Sequence, residues 1–127
     1  MKHHRKQYRA IFLSDIHIGT KRSKVERALD FLRNQEFEYL YLVGDIIDGI
    51  AIKRKECWNN KANDFLKELL NIAESGTKIT YLTGNHDSFL EDFCGNDFGG
   101  ITLADEVLHT TKENKTYSVL HGHFFFF

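Results

Sequence analysis

The stretch Tyr39-Leu-Tyr-Leu-Val-Gly-Asp-Ile-Ile-Asp48 decides the fold of this chain. Its first half, Tyr39–Val43, is a short apolar and aromatic run, which is typical of a buried strand. Gly44 follows, and a glycine at that point lets the backbone turn sharply. Two carboxylates, Asp45 and Asp48, come directly after the turn. The stretch therefore predicts a strand whose carboxyl end carries acidic side chains.

The same arrangement repeats on both sides of this stretch. Two further apolar runs of strand length, Tyr8–Leu13 and Lys78–Leu82, precede and follow it. Between the runs, apolar residues recur at helical spacing over Val25–Leu32 and over Ala62–Ala73. Strands that alternate with helices predict an α/β fold with a parallel sheet. Because the runs are continuously apolar, we expect both faces of this sheet to be covered.

Turn and capping residues predict the limits of these elements. Ser23-Lys-Val-Glu26 reads as a capping box at the start of the first helix, and Gly76 ends the second. Later in the chain, Val107–Thr111 and Thr116–Leu120 read as two strands. Glu113-Asn114 between them predicts a hairpin turn.

Composition excludes several classes of protein. The chain has 127 residues, with 17 basic and 18 acidic side chains and a net charge of −1. This balance gives no strong sign of a nucleic-acid binder, which would usually be basic. No apolar run approaches the ~20 residues of a transmembrane segment. The two cysteines, Cys57 and Cys94, are expected to be free thiols, so we expect a cytoplasmic protein.

Polar side chains follow four of the predicted strands. They are Asp15-Ile-His17, Gly44-Asp45-Ile-Ile-Asp48, Gly84-Asn85-His86-Asp87 and His121-Gly-His123. In open α/β sheets, ligands bind just beyond the carboxyl ends of the strands. Each block alone is compatible with an ordinary polar turn. Four such blocks at the same edge of the sheet favour one shared site, and a metal site is the simplest explanation.

The residue types indicate which metal chemistry to expect. Carboxylate, imidazole and amide ligands together suit Mn, Fe or Zn. Asp15 and His17 would point to the same side of an extended backbone, and Asp45 has two oxygens with which to bridge two cations. Two cations roughly 3.5–4 Å apart can clamp the attacking and leaving oxygens of a phosphate ester. His86 offers a proton donor whose imidazole Asp87 could hold.

These blocks resemble those of the calcineurin-like metallophosphoesterases. Asp15-Ile-His17 matches the D-x-H of that family, Gly44–Asp48 matches G-D-x-x-D, and Gly84–Asp87 matches G-N-H-D. Within the family, the chain is most similar to UDP-2,3-diacylglucosamine pyrophosphatase-like proteins, on the stretch Tyr41–Gly49 among others. DNA-repair exonucleases of the same fold share Ser14–Gly19 nearly as well and remain an alternative.

The resemblance implies a sandwich of β-sheets flanked by helices, and a metal-dependent hydrolase of a phosphoester or pyrophosphate bond. It implies two divalent ions, Mn first, with Fe or Zn as alternatives, and a bridging hydroxide as nucleophile. The substrate would be a phosphoester or a nucleotide-lipid pyrophosphate such as that of lipid A synthesis. The implied metal ligands are Asp15, His17, Asp45, Asn85 and His121. Asp48 would lie behind these ligands and orient them. His86 and Asp87 would be the catalytic residues.

The end of the chain departs from the family pattern. A final G-H-x-H motif is absent, because Phe125 stands where Gly122-His123-Phe124-Phe125 would need its second histidine. We therefore expect residues 8–127 to be the N-terminal half of a metallophosphoesterase domain that is incomplete at its C-terminus. A non-catalytic binding module of the same fold remains open. The basic leader, residues 1–7, reads as a solvated tail or as a peripheral contact with the inner membrane face.

Overall fold

A five-stranded sheet forms the centre of the molecule, which we describe from a computed structural model covering residues 6–54 and 58–122. The strands in chain order are β1 (Lys6–Leu13), β2 (Gln35–Val43), β3 (Lys78–Leu82), β4 (Asp97–Phe98) and β5 (Ile101–Ala104). Their order in the sheet is β1-β2-β3-β5-β4. All neighbours pair in parallel except β4 and β5, which are antiparallel. Every parallel strand therefore ends at the same edge of the sheet.

Helices cover one face of this sheet. The two long ones, α1 (Val25–Arg33) and α3 (Asn60–Glu74), form this layer, while a short helix α2 (Gly49–Lys53) and a 3₁₀ helix (Ser88–Phe93) lie in the loops that follow β2 and β3. The buried face of α1 and that of α3 pack on Leu40, Leu42 and Ile79 of the strands. Burial of these apolar side chains is the main favourable term in holding such layers together.

A hairpin covers part of the other face. It consists of β6 (Val107–Thr110) and β7 (Thr116–Val119), paired antiparallel, with Asn114 at φ +63° in its turn. Val119 packs with Tyr41 and Leu82 in a second, smaller apolar cluster. Both faces are therefore apolar, as the strand pattern predicts, but only one of them is covered by helices.

The predicted elements are confirmed with few changes. The three parallel strands, the two long helices and the hairpin all form, and α3 ends just before Gly76, at φ +105°. The capping box is wrong: Lys24 is the N-cap residue of α1. The Ser23 hydroxyl accepts from the Val25 amide at 3.2 Å and donates to the Ile16 carbonyl at 3.2 Å. The hydroxyl therefore ties the helix start to the loop after β1.

Several sequence-based expectations concern residues outside the described ranges, namely residues 1–5 of the leader, Cys57, His123 and Phe124–Phe127. The last two leader residues, Lys6 and Gln7, belong to β1. Cys94 is a free thiol, as predicted. Over residues 6–54 and 58–122, no helix is both long enough and apolar enough to cross a membrane.

Candidate metal centre

The loops after β1 and β2 run side by side beyond the edge of the sheet. The Asp15 amide donates to the Gly44 carbonyl at 3.2 Å, and the His17 amide donates to the Asp45 carbonyl at 3.0 Å. These bonds extend the pairing of the two strands past their ends. Asp15, His17 and Asp45 are consequently held at one place, although some 30 residues separate the two loops in the sequence.

The backbone at all three of these residues is left-handed. The φ angle is +58° at Asp15, +53° at His17 and +53° at Asp45. The expectation that Asp15 and His17 share a side through extended backbone is therefore wrong, since both sit in a tight turn instead. A non-glycine residue in this region costs about 1–3 kcal/mol, and such strain tends to cluster at functional sites. Among the other non-glycine residues that the structure describes, only Asn114 of the hairpin turn shares this conformation.

Two carboxylates and two imidazoles meet at this point. His17 Nε2 lies 3.5 Å from Asp15 Oδ1, and His121 Nε2 lies 3.3 Å from Asp45 Oδ2 and 3.7 Å from Asp15 Oδ1. The donor atoms of Asp15, His17 and Asp45 all lie within 4.8 Å of one another, a spacing that one cation could span. His121 arrives from the end of the hairpin, 76 residues after Asp45.

The carboxylate of Asp15 is kept in its charged form. Burial by itself would raise the pKa of Asp15, but the hydrogen bond from the Ser14 hydroxyl and the charges of His121 and His17 outweigh it. The net result is a pKa below the ordinary value, which suits a metal ligand. Ser14, whose hydroxyl lies 2.7 Å from Asp15 Oδ2, was given no role in the sequence analysis.

The glycines of two motifs make room for these ligands. A Cβ on Gly44 would overlap the ring of His121, which packs directly on that backbone. A Cβ on Gly84 would lie 2.5 Å from Asp45 Oδ1. Each glycine therefore allows a close approach that any other residue would block.

Asn85 completes the group on the far side of Asp45. With its amide nitrogen turned toward that carboxylate, Asn85 donates to Oδ1 at 3.1 Å and to Oδ2 at 2.9 Å. With the amide reversed, the Asn85 oxygen faces the same two oxygens, and a cation between them would stabilise that orientation. The backbone amide of the next residue, His86, donates to Asp45 Oδ1 at 2.8 Å. Asp45 is thus contacted from three separate strand ends.

Asp48 lies beside two histidines of the site, His17 and His86. Its Oδ2 lies 3.0 Å from His17 Nδ1 and 3.0 Å from His86 Nδ1. The contact with His17 has hydrogen-bond geometry, whereas the His86 ring is close but not aligned for a bond. Binding through Nδ1 leaves His17 Nε2 facing Asp15, which is the nitrogen a metal would take.

The electrostatics of Asp48 fit this orienting position. Burial would raise its pKa, but the Ala51 amide and the imidazoles of His17 and His86 lower it below the ordinary value. The carboxylate is therefore charged although it is buried. Its Oδ1 also caps α2 by accepting from the Ala51 amide at 2.9 Å.

Asp87 does not hold the imidazole of His86, so this part of the sequence-based interpretation is wrong. Asp87 is fully buried, and its Oδ2 accepts from the Ile46 amide at 3.0 Å and from the Tyr81 hydroxyl at 2.6 Å. Its Oδ1 accepts from the Gly84 amide. Asp87 thus fastens the turn after β3 to the loop after β2, while Asp48 lies beside His86.

Tyr81 is a further residue that the sequence analysis missed. Burial and the neighbouring Asp87 charge raise its pKa well above the ordinary value, so its hydroxyl stays a donor. The same oxygen accepts from the Ile47 amide at 3.0 Å. A tyrosine on the core-facing side of a buried strand is a usable signal, because a buried hydroxyl needs a partner.

Asp48→Asn tests the orienting contact without removing the helix cap, since the asparagine oxygen can still accept from Ala51. We expect metal affinity or turnover to fall about 10–100-fold, as for other residues that orient a metal-binding histidine. The measurement is metal titration by calorimetry. The matched control is Asp97→Asn, because Asp97 accepts from the Gly100 amide at 2.9 Å far from the site. An effect no larger than that of the control would show that Asp48 caps α2 and does not orient His17.

Comparison with known proteins finds a matching family and several similar sequences. Residues 8–126 match the sequence model of the calcineurin-like phosphoesterases. The chain is 28% identical over 116 residues to a UDP-2,3-diacylglucosamine hydrolase of Chromohalobacter salexigens, covering 88% of this chain and 46% of that protein. It is 30% identical over 122 residues to the protein of that name from Pseudomonas syringae pv. syringae, covering 88% and 45%. The chain thus spans less than half the length of these curated relatives.

Proposed function

The chain belongs to the calcineurin-like phosphoesterase family, and from this we propose that it acts as a metal-dependent hydrolase of phosphoester or pyrophosphate bonds. One observation carries the proposal. The three residues Asp15, His17 and Asp45 adopt left-handed backbone, and their donor atoms converge within 4.8 Å. Strain of this kind persists only where surrounding structure enforces it, and a ligand set for a cation is its simplest use.

The donor set fits two divalent cations. Asp15, His17 and Asp45 would hold the first, and Asp45, Asn85 and His121 would hold the second, with Asp45 as the shared ligand. The amide of Asn85 lies 2.9 Å from Asp45 Oδ2, so its oxygen is near enough to serve as a neutral ligand at the second position. We propose Mn for both, with Fe or Zn as alternatives. When bound, the cations would supply Lewis acidity and positive charge in excess of the two carboxylates, which attracts a phosphate group.

The chain's own side chains would then guide proton transfer and orientation. His86 is half-buried, and its ring lies 4.9 Å from that of His17 in an edge-to-face arrangement. We propose that His86 protonates the leaving oxygen, with Asp48, whose Oδ2 lies 3.0 Å from His86 Nδ1, keeping the ring in place. Asp87 would contribute indirectly, because its hydrogen bonds shape the turn that carries Asn85 and His86.

The substrate we propose is a nucleotide-linked lipid with a pyrophosphate, in line with the names of the similar proteins. An apolar cavity of about 290 Å³ adjoins His86 and supports this choice. Ile50, Ile52 and Phe89 line it and are each more than 40% exposed. Such a surface suits an apolar group of the substrate better than it suits water. A lipid-linked substrate would bring a cytoplasmic protein to the inner membrane face.

The test is hydrolysis by the chain after removal of metal and readdition of Mn²⁺. We expect cleavage of bis-p-nitrophenyl phosphate and of UDP-2,3-diacylglucosamine with Mn²⁺, and none after chelation. Single-stranded DNA serves as the third substrate. Preferential cleavage of DNA would favour an exonuclease-like phosphodiesterase. Binding of two Mn²⁺ ions without turnover of any substrate would identify a non-catalytic module and contradict the proposal.

A further inference from the structure

We propose that Tyr41 and His109 are positioning residues for the second metal site, acting at a distance by fixing the hairpin that carries His121. The inference rests on the proposed function, because His121 is assigned there as a ligand. Neither residue is among the candidate ligands and catalytic residues at the strand ends. The geometry on the second face of the sheet points to both.

The hairpin needs an anchor. A two-stranded hairpin is at best marginally stable in water by itself, and within residues 6–54 and 58–122 strands β6 and β7 pair only with each other. Leu108 and Tyr117 on this hairpin are 65% and 55% exposed. Since its strands contribute few buried side chains, individual contacts with the main sheet determine where the hairpin sits.

Tyr41 and His109 provide the central contact. The Tyr41 hydroxyl lies 2.8 Å from His109 Nδ1, and the two residues are only 4% and 5% exposed. Burial raises the pKa of Tyr41, so the hydroxyl stays protonated and available as a donor. The rings of Tyr41, Tyr39 and Phe12 meet that of His109 nearly edge-on, at centroid distances of 5.2, 5.4 and 5.9 Å. A buried polar pair whose hydrogen bond is satisfied favours one placement of the two elements that carry it.

A second contact limits rotation of the hairpin about the first. The Arg9 guanidinium donates to the Thr110 carbonyl at 3.3 Å and lies 5.0 Å from the centre of the Tyr39 ring. Arg9 belongs to β1 and Thr110 to β6. The hairpin is therefore tied to β1 as well as to β2.

Strand β2 connects the anchor to the metal site. Tyr41 lies four residues before Asp45, so the strand that holds the hairpin also delivers the shared ligand. At the other end of the hairpin, β7 ends at Val119 and His121 follows two residues later, with its ring on Gly44. His121 Nε2 then lies 3.3 Å from Asp45 Oδ2. Fixing His109 on Tyr41 thus fixes the approach of His121 to Asp45.

Tyr41→Phe removes the hydroxyl and keeps the ring. We expect the affinity for the second Mn²⁺ to fall about tenfold, the lower end of the effect of residues that orient ligands. The first Mn²⁺, bound by Asp15, His17 and Asp45, should bind as before. Calorimetric titration of the full chain resolves the two steps. Tyr117→Phe is the matched control, because it removes an exposed hydroxyl from the same hairpin.

A measurement on the metal-free protein tests this inference independently of the proposed function. In the wild-type chain and in the control, the ring protons of His121 should show nuclear Overhauser contacts to the Gly44 α-protons. In Tyr41→Phe these contacts should weaken or vanish, while the amide signals of β1–β3 stay in place. His109→Phe should act like Tyr41→Phe, and His109→Gln, which can still accept from the hydroxyl, should restore part of the contact.

The outcomes are distinct. Unchanged His121 contacts in both Tyr41→Phe and His109→Phe would overturn the inference, whatever the metal content. Equal weakening of both metal steps would also overturn it, because it would show a general loss of structure. Failure of the wild-type chain to bind a second Mn²⁺ would instead count against the proposed function, and the contacts in the metal-free protein would still decide the role of Tyr41 and His109.

Discussion

Replacing Asp45 with alanine should abolish both metal binding and hydrolysis. Asp45 is the one side chain proposed to touch both cations, and it also accepts from the His86 amide at 2.8 Å. We expect turnover to fall by more than ~10³-fold, beyond the ~10–100-fold that outer residues of a metal site cost. Metal content after gel filtration should fall from two ions to fewer than one per chain. Activity on bis-p-nitrophenyl phosphate gives the second readout.

Two further variants make this result interpretable. Asp45→Asn keeps the size of the side chain and an acceptor for the His86 amide, so it should fold while still losing metal. Asp30→Ala removes an exposed carboxylate from α1 and should change neither readout. If Asp45→Asn retained two ions and full turnover, the shared-ligand assignment would be wrong.

Replacing His86 with alanine should leave the metal content intact and reduce turnover by ~10²–10⁴-fold, the usual contribution of a general acid. The reason is geometric. His86 faces Asp48 rather than the pair Asp15 and Asp45, so its ring lies beside the proposed cations and not between them. Because a lost proton donor matters most for poor leaving groups, the deficit should be smaller on a p-nitrophenyl ester than on a natural pyrophosphate.

The competing assignment for His86 is a metal ligand. The donor atoms of His17, Asp48 and His86 also lie within 4.8 Å of one another, so a cation could in principle take that group. Metal analysis of His86→Ala distinguishes the two roles. Equal losses of metal and turnover would make His86 a ligand and refute its role as the proton donor. His17→Ala, which should lose metal, serves as the positive control for that measurement.

The sheet and its helices could be predicted from the sequence because their signals are local. An apolar run of strand length, followed by a helix-spaced stretch, predicts each β-α unit by itself, and β3 falls at Lys78–Leu82 as predicted. Strand β5 could not be found this way. Ile101–Ala104 is only four residues long and follows Gly99 and Gly100. It becomes a strand by pairing in parallel with β3.

The candidate site was likewise predictable only in part. The residue types at the strand ends, and the fact that parallel strands end at one edge, were enough to bring Asp15, His17, Asp45 and Asn85 together as candidates. Which carboxylate faces which imidazole was not predictable. Asp87 is adjacent to His86 in the sequence, yet its side chain turns into the core toward Tyr81. Asp48, 38 residues earlier, fills the place beside His86.

The sequence by itself determined the strand and helix order, the family motifs and the edge of the sheet at which a site would form. Each of these depends on residues that are neighbours in the chain or on the common direction of parallel strands. Only the tertiary structure decided the left-handed turns at Asp15 and His17, the pairing of Asp48 with two histidines, and the anchoring of the hairpin on Tyr41. These features arise because loops far apart in sequence hydrogen-bond to one another, and the resulting network, not local preference, selects the conformation.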